Sequence, residues 1–381
     1  MNDIQISYTV WAMGKIGVNW HDNYVDSRTK RAIIASILKQ TNNMGPHGVA
    51  NTIHGLSTMK VKWTYLSHSS LSENIFSSML LQVRKMSEQE VSNCISGLGR
   101  MGTKWEQLPS PLKKALLDRF SYISKKTVRN MECIQHSNSN DNSNDNSNDN
   151  SNDTGRSSGD IKNRSRDLNI HDDNNNDNSS SSSSSDNEEV LGSMGLSMCI
   201  HGLAKMDVRW NTLPLSFKGT LLTALVKIMP SANSQEVANV LYGLGKMGVI
   251  FKELTCDSRQ VIGSSWTREA WQMTSQGISN SIWGFHLMQV ISSEDLSGVI
   301  RAAMWDGIRR EGPRFDEQEI GNVIFSLSKM KHTFKSIPLD VRTVLLQSLT
   351  DRLPQMEPQG VVMVCTCTIY IYVYIYICIY M

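Results

Sequence analysis

Val237–Phe251 reads VANVLYGLGKMGVIF, and the chain repeats it. Close relatives are VANTIHGLSTMKVKW (Val49–Trp63), VSNCISGLGRMGTKW (Val91–Trp105), ISNSIWGFHLMQV (Ile278–Val290) and IGNVIFSLSKMKHTF (Ile320–Phe334). SYTVWAMGKIGVNW (Ser7–Trp20) and SMCIHGLAKMDVRW (Ser197–Trp210) are looser copies. The place of Asn239 is taken by Tyr8, Asn51, Asn93, Met198, Asn280 and Asn322 in the others, so successive copies lie 43, 42, 105, 41, 41 and 42 residues apart. Such a period marks a solenoid: each unit is too small to bury its own apolar face and must stack on its neighbours.

Within one copy, Val237, Leu241, Leu244 and Met247 follow i, i+4, i+7, i+10, the apolar face of a helix of about three turns. Val91, Ile95, Leu98 and Met101 repeat that face, as do Ile320, Ile324, Leu327 and Met330. Glycine in mid-helix costs about 1 kcal/mol relative to alanine. It nevertheless recurs at Gly55, Gly97, Gly202, Gly243 and Gly284, with Ala12 and Ser326 in the remaining copies. Small residues alone at this place predict a second helix crossing very close. A short turn and a large aromatic follow (Trp20, Trp63, Trp105, Trp210, Phe251, Phe334), read as plugs between neighbouring units. Pro or Ser/Asp then opens a second helix, as in LPSPLKKALLDRF (Leu108–Phe120) and LPLSFKGTLLTALVKIM (Leu213–Met229). The fold class is therefore all-α: an α-solenoid of about seven helix–turn–helix repeats. The Asn series is expected to form a hydrogen-bond ladder between units.

The long step of 105 exceeds the period by 63 and coincides with His136–Glu189, a tract of Asn, Asp and Ser with NSND repeated and seven consecutive Ser. It has too few apolar side chains to offset ordering entropy and reads as a disordered insert. Residues 1–135 then hold repeats 1–3, and 190–364 hold repeats 4–7 with the start of an eighth, because Gln359–Val364 aligns with Gln235–Val240. From Cys365 to Met381 the chain becomes CTCTIYIYVYIYICIYM. That alternation is what a TA/TG dinucleotide repeat gives when translated. The rival reading is a tail anchor, since Val361–Met381 carries no charge over 21 residues; strict β-branched/aromatic alternation is strand-like instead. The first copy begins within seven residues of Met1 with no basic leader before it, which fits a truncated start or a protein without a targeting segment.

The formal charge of +2 conceals an asymmetry. The tract carries twelve Asp or Glu against four Lys or Arg, leaving the remainder with 34 basic and 24 acidic residues. A basic scaffold suits a polyanionic partner, though moderate positive charge is also ordinary in soluble proteins. The seven cysteines show no zinc spacing, and Cys94 falls inside a helical copy as a small buried apolar side chain. There is no HExxH, G-x-S-x-G, P-loop or dinucleotide fingerprint, so the sequence offers no catalytic constellation, metal site or cofactor site.

Two recurring positions are candidates for binding. The residue before the Met is Lys15, Thr58, Arg100, Lys205, Lys246, Leu287 or Lys329. Four residues earlier stand Trp11, His54, Ser96, His201, Tyr242, Trp283 and Phe325. One helical turn separates the two, so cation and ring share a face. Lys15, Arg100, Lys205, Lys246 and Lys329 are candidate phosphate contacts of single-stranded RNA, and Trp11, His54, His201, Tyr242, Trp283 and Phe325 candidate stacking rings. A packed seam between units, with the Lys side chains snorkelling from its edge, explains the same pattern, and is the favoured reading for the rings.

ANVLYGLGKMG, SNSIWGFHLM and NTIHGLSTMK resemble the helical repeats of organellar RNA-handling proteins. They are similar to octotricopeptide-type repeats and to the repeat domain of the RNA-editing substrate-binding complex subunit 6 family. The resemblance implies RNA binding in a mitochondrion or plastid, in support of transcript processing, editing, stability or translation, with other subunits of an RNA-processing complex as partners. It carries over no catalytic residue, small-molecule substrate or membrane association. The alternative from another class is a protein–protein scaffold of HEAT or armadillo type.

Overall fold

The structure is a computed structural model that describes residues 1–67, 70–141, 190–291 and 295–365, with the backbone alone for 135–141, Phe334 and Cys365. The Ile/Tyr tail from Thr366, with both readings given for it, and the tract from residue 142 to 189, with its expected disorder, lie outside the described residues. In chain order the helices are α1 (Asp3–Lys15), α2 (Ser27–Gln40), α3 (Pro46–Thr58), α4 (Trp63–Ser67), α5 (Leu71–Gln82), α6 (Glu88–Met101), α7 (Ser110–Asp141), α8 (Ser193–Lys205), α9 (Leu215–Ile228), α10 (Ser234–Met247), α11 (Cys256–Glu269), α12 (Ser275–Leu287), α13 (Gly298–Glu311), α14 (Glu317–Lys329), α15 (Leu339–Arg352) and α16 (Pro358–Cys365). No strand occurs among the described residues.

The repeated motif forms the first helix of each unit. These helices stack in chain order, α1 on α3, then α6, α8, α10, α12, α14 and α16. The second helices form the other layer, with α2 against α5 and α9, α11, α13 and α15 in succession. Phe120 of α7 meets Phe217 of α9 at a ring-centroid distance of 5.6 Å. The eighth copy begins on schedule: α16 lies on α14 with Val364 fully buried.

The small-residue position explains the close stacking. A Cβ on Gly55 would stand 2.5 Å from the Val10 carbonyl oxygen, one on Gly202 2.7 Å from that of Ile95, and one on Gly284 2.6 Å from that of Leu241. On Gly97 and Gly243 it would meet Cγ2 of Ile53 and Ile200 at 2.7 Å. In every case the partner is the residue just before the ring position of the preceding unit, so one register is kept throughout. Here a side chain would force the helices apart.

Helix ends are built alike. Reciprocal capping boxes open α1 (Asn2/Gln5), α6 (Ser87/Glu90), α10 (Asn233/Glu236) and α14 (Asp316/Glu319). At the other end, Gly17, Lys60, Gly102, Asp207, Gly248, Gln289 and Lys331 take φ between 57° and 83°. The following N–H closes a Schellman turn, as from Val249 to the Leu244 carbonyl at 3.0 Å and from Val208 to Leu203 at 3.1 Å. Four units thus keep a left-handed non-glycine residue, at about 1 kcal/mol or more each.

Contacts between units follow. The backbone N–H of Trp20, Trp105 and Phe251 donates to the carbonyl of Met59, Met206 and Met288 in the next unit, at 2.8, 2.9 and 2.8 Å. Trp20, Trp63, Trp105 and Phe251 are buried, as plugs should be, and Trp20 packs edge-on against Tyr65 of the next unit at 5.6 Å. Trp210 departs from the pattern: it stays half-buried under the Lys218 ammonium of its own unit, 5.8 Å from the ring centroid. Ser78, Ser265 and Ser348 donate to the carbonyls of Thr41, Met229 and Gly312 in the preceding unit, at 2.8, 3.1 and 2.8 Å. Within units, Arg119, Arg268, Arg310 and Arg352 donate from the second helix to the carbonyls of Met86, Ala232, Met273 and Phe315, just ahead of the first helix, at 2.6, 2.6, 2.7 and 2.9 Å.

The Asn ladder is not formed. Among the described residues no hydrogen bond involves the side chain of Asn51, Asn93, Asn239, Asn280 or Asn322. All but Asn51 are half-exposed, and a polar group open to solvent needs no partner within the protein. The described residues of Met1–Val128 and Glu189–Met381 form one compact unit, and those of Arg129–Glu188 belong to a second. Of the second, the end of α7 is described: it runs on to Asp141, so the helix passes His136, where the sequence reading ended the repeats. Extending an established helix costs far less than starting one. The 105-residue step leaves the stack intact, α8 lying on α6 in the common register, and the Leu191 N–H is bonded to Thr127 Oγ1 at 2.6 Å.

Gly55→Ala should destabilise the protein by about 1–3 kcal/mol in denaturant unfolding, despite the more favourable helix propensity of alanine. Gly219→Ala, where an added Cβ meets nothing within 4 Å, should be neutral or stabilise by up to about 1 kcal/mol. Equal responses would contradict the close-approach account.

Candidate nucleic-acid interface

Each first helix turns one face to its neighbours and another outward. Lys15, Arg100, Lys205, Lys246 and Lys329 all stand exposed on the outward face. One turn before each cation position, Trp11, His54, His201, Tyr242, Trp283 and Phe325 are half-buried, while Ser96 is buried. The five cations are therefore open to solvent, and the six rings only partly so.

The rings do two things at once. His201 meets Tyr242 of the next unit at 5.6 Å and 32°, and Trp283 meets Phe325 at 5.6 Å and 36°. One side of each ring thus belongs to the seam, and the remainder is open. Lys15 Nζ lies 5.5 Å from the Trp11 centroid and Lys329 Nζ 5.0 Å from Phe325. Lys205 Nζ lies 5.7 Å from Tyr242, one unit on. His286, which the sequence reading passed over, packs against both Trp283 and Phe325 at 5.5 Å. It stands at i+3 from Trp283, a spacing that marks it as a face neighbour.

Arg100 joins adjacent units. Its Nη2 lies 3.2 Å from His54 Nδ1. A guanidinium can only donate, so Nδ1 accepts and the His54 proton sits on Nε2. Burial, and then the charges of Arg100 and Lys15, push His54 down to about 4. Burial, Lys205 and Arg100 push His201 down to about 4 as well. Burial and Lys329 lower His286. Near neutral pH His54 and His201 are flat uncharged rings set among cations.

The stripe is uneven. Thr58 and Leu287 replace the cation in two units. Lys246 is exposed but not unopposed, since its Nζ lies 3.9 Å from Asp207 Oδ1, and Lys104 bonds the other oxygen of that carboxylate. Three of the Asn side chains that form no ladder line grooves instead. One of about 350 Å³ between α10 and α12 is bordered by Asn239, Asn280, Gln235 and Gln276. Another, of about 330 Å³ between α14 and α16, is bordered by Asn322, Gln318 and Gln359.

Among the described residues no group of three His, Cys, Asp or Glu side chains is placed to hold a metal ion, and no helix is long and apolar enough to cross a membrane. Cys94 and Cys199 are buried in the stack, and burial pushes the Cys199 thiol up to about 12. No protein-family model and no curated protein matches the chain.

His54 and His201 should titrate well below 6.5, near 4, when their imidazole resonances are followed by NMR. Because the folded state favours the neutral form, the stability they contribute is complete above 6.5 and is lost as pH falls towards 4. Titration at the ordinary histidine value would contradict their burial among cations.

Proposed function

We propose that this chain binds single-stranded RNA along the outward face of its first helices and catalyses no reaction on it. The observation that supports this reading is an exposed cation one turn from a half-buried ring in four of the seven units, Trp11/Lys15, His201/Lys205, Tyr242/Lys246 and Phe325/Lys329. Rings stack on bases whatever their identity, at about 1–3 kcal/mol per base, and the cations pair with phosphates. The amides of Asn239 and Asn280 add donors and acceptors for base edges. The resemblance to organellar repeats adds the setting: a mitochondrion or plastid, where the protein supports processing, editing, stability or translation of transcripts beside other subunits.

A protein–protein scaffold is the second reading. It is favoured by one feature away from the stripe, a groove of about 870 Å³ between α5 and α7 bordered by the exposed Leu80, Leu81 and Tyr122.

Fluorescence anisotropy of the full chain with a pool of single-stranded RNA separates the two. Binding through phosphates releases counterions, so log affinity should fall against log salt with a slope of about 0.7 per phosphate paired. Reversing charge at Lys205, Lys246 and Lys329 together should weaken binding at least tenfold, roughly 1.4 kcal/mol or more. Of the single changes to Gln, Lys246→Gln should matter least, since Asp207 already opposes that cation. No binding at low salt, or an unchanged affinity after the triple reversal, would defeat this reading and leave the scaffold.

A further inference from the structure

The turn after α8 differs from its counterparts in charge. Asp207 holds the left-handed position there, at φ 60°, where the other units carry Gly, Lys or Gln. Lys104 from the preceding unit donates to its Oδ2. Lys246 from the following unit approaches its Oδ1 at 3.9 Å. Arg209, two residues on in the same turn, acts on it as well: the Lys104 hydrogen bond, with the charges of Lys104, Lys246 and Arg209, holds the carboxyl below the usual range. Lys104, Arg209 and Lys246 are all exposed.

Cations from the two flanking units thus converge on one carboxylate at the surface, with Arg209 of its own turn two residues away. Exposed ion pairs contribute about 0–1 kcal/mol, so stability alone does not account for the convergence. The chemistry is that of an anion site whose occupant is part of the chain. A phosphodiester carries the same single charge on two oxygens and accepts from the same donors.

We infer that Lys104, Arg209 and Lys246 form a phosphodiester subsite midway along the stripe, held in the free protein by the Asp207 carboxylate. The inference rests on the RNA reading and deepens it: Lys104 and Arg209 join the interface, and Asp207 limits its affinity. A strand running from the fourth unit to the fifth must displace or pass this carboxylate, whereas at Arg100 or Lys329 it meets no such competitor.

The test compares RNA affinity of the full chain with that of Asp207→Asn, a change that keeps a residue type at home in the left-handed region. Asp207→Asn should bind about threefold or more tightly at low salt, with a log–log salt slope steeper by about 0.7 for each further phosphate paired. Asp257→Asn removes the same charge from the exposed start of α11, in the other layer, and should leave affinity unchanged. The double change Lys104→Gln, Arg209→Gln should weaken binding by the otherwise unaltered chain. Equal affinity of Asp207→Asn and the unaltered chain, an equal rise in affinity for Asp257→Asn, or no loss in the double change overturns the subsite and leaves the RNA reading standing. Absence of binding by the unaltered chain overturns both.

Discussion

The approach of one first helix to the backbone of the one before it is the constraint on which everything else depends. Gly55, Gly97, Gly202, Gly243 and Gly284 each fit against the residue preceding the ring position of their predecessor. That fixes the rotation of every first helix about its axis. With rotation fixed, the i+7 cations after Asn239 and its equivalents stand exposed and the i+3 rings half-buried, Ser96 being buried, so that rings and cations fall into rows. The helix propensity lost at each glycine is offset by apolar burial on the adjoining face, where Leu241, Leu244 and Met247 are buried almost completely.

Much of this was legible because it depends on local, periodic features. Val237, Leu241, Leu244 and Met247 declare their face by spacing alone, and a small residue kept in mid-helix declares a close crossing. The turn after Gly248 was legible as a helix end, but Lys60, Asp207, Gln289 and Lys331 gave no sign of left-handed backbone. What set them there is the Schellman turn, which any residue can close if packing supplies the strain energy. The bonds of Arg119, Arg268, Arg310 and Arg352 have no sequence signature, since nothing in a sequence says which carbonyl a long side chain will reach. The Asn series misled for the converse reason: a recurring polar residue suggested a partner, and half-exposure makes one unnecessary.

The candidate site divides along the same line. That ring and cation share a face follows from helical spacing. That His201 leans on Tyr242, that Arg100 meets His54, and that Asp207 draws Lys104 and Lys246 together are relations between units. They depend on how far one helix is displaced along the next, a quantity without a sequence signature. The rings also show why seam and surface are poor alternatives here: His201 packs on Tyr242 and Trp283 on Phe325 across units, yet all four stay half-buried.

The bond between the Leu191 N–H and Thr127 Oγ1 has a consequence for how such a chain can change. It closes the stack across the long step, and α8 takes its register from α6 and not from the residues between. The number of NSND copies in that stretch is then uncoupled from the solenoid. Gain or loss of tandem copies there leaves every glycine contact between first helices in place. Selection on the stack therefore leaves the size of the tract free to drift.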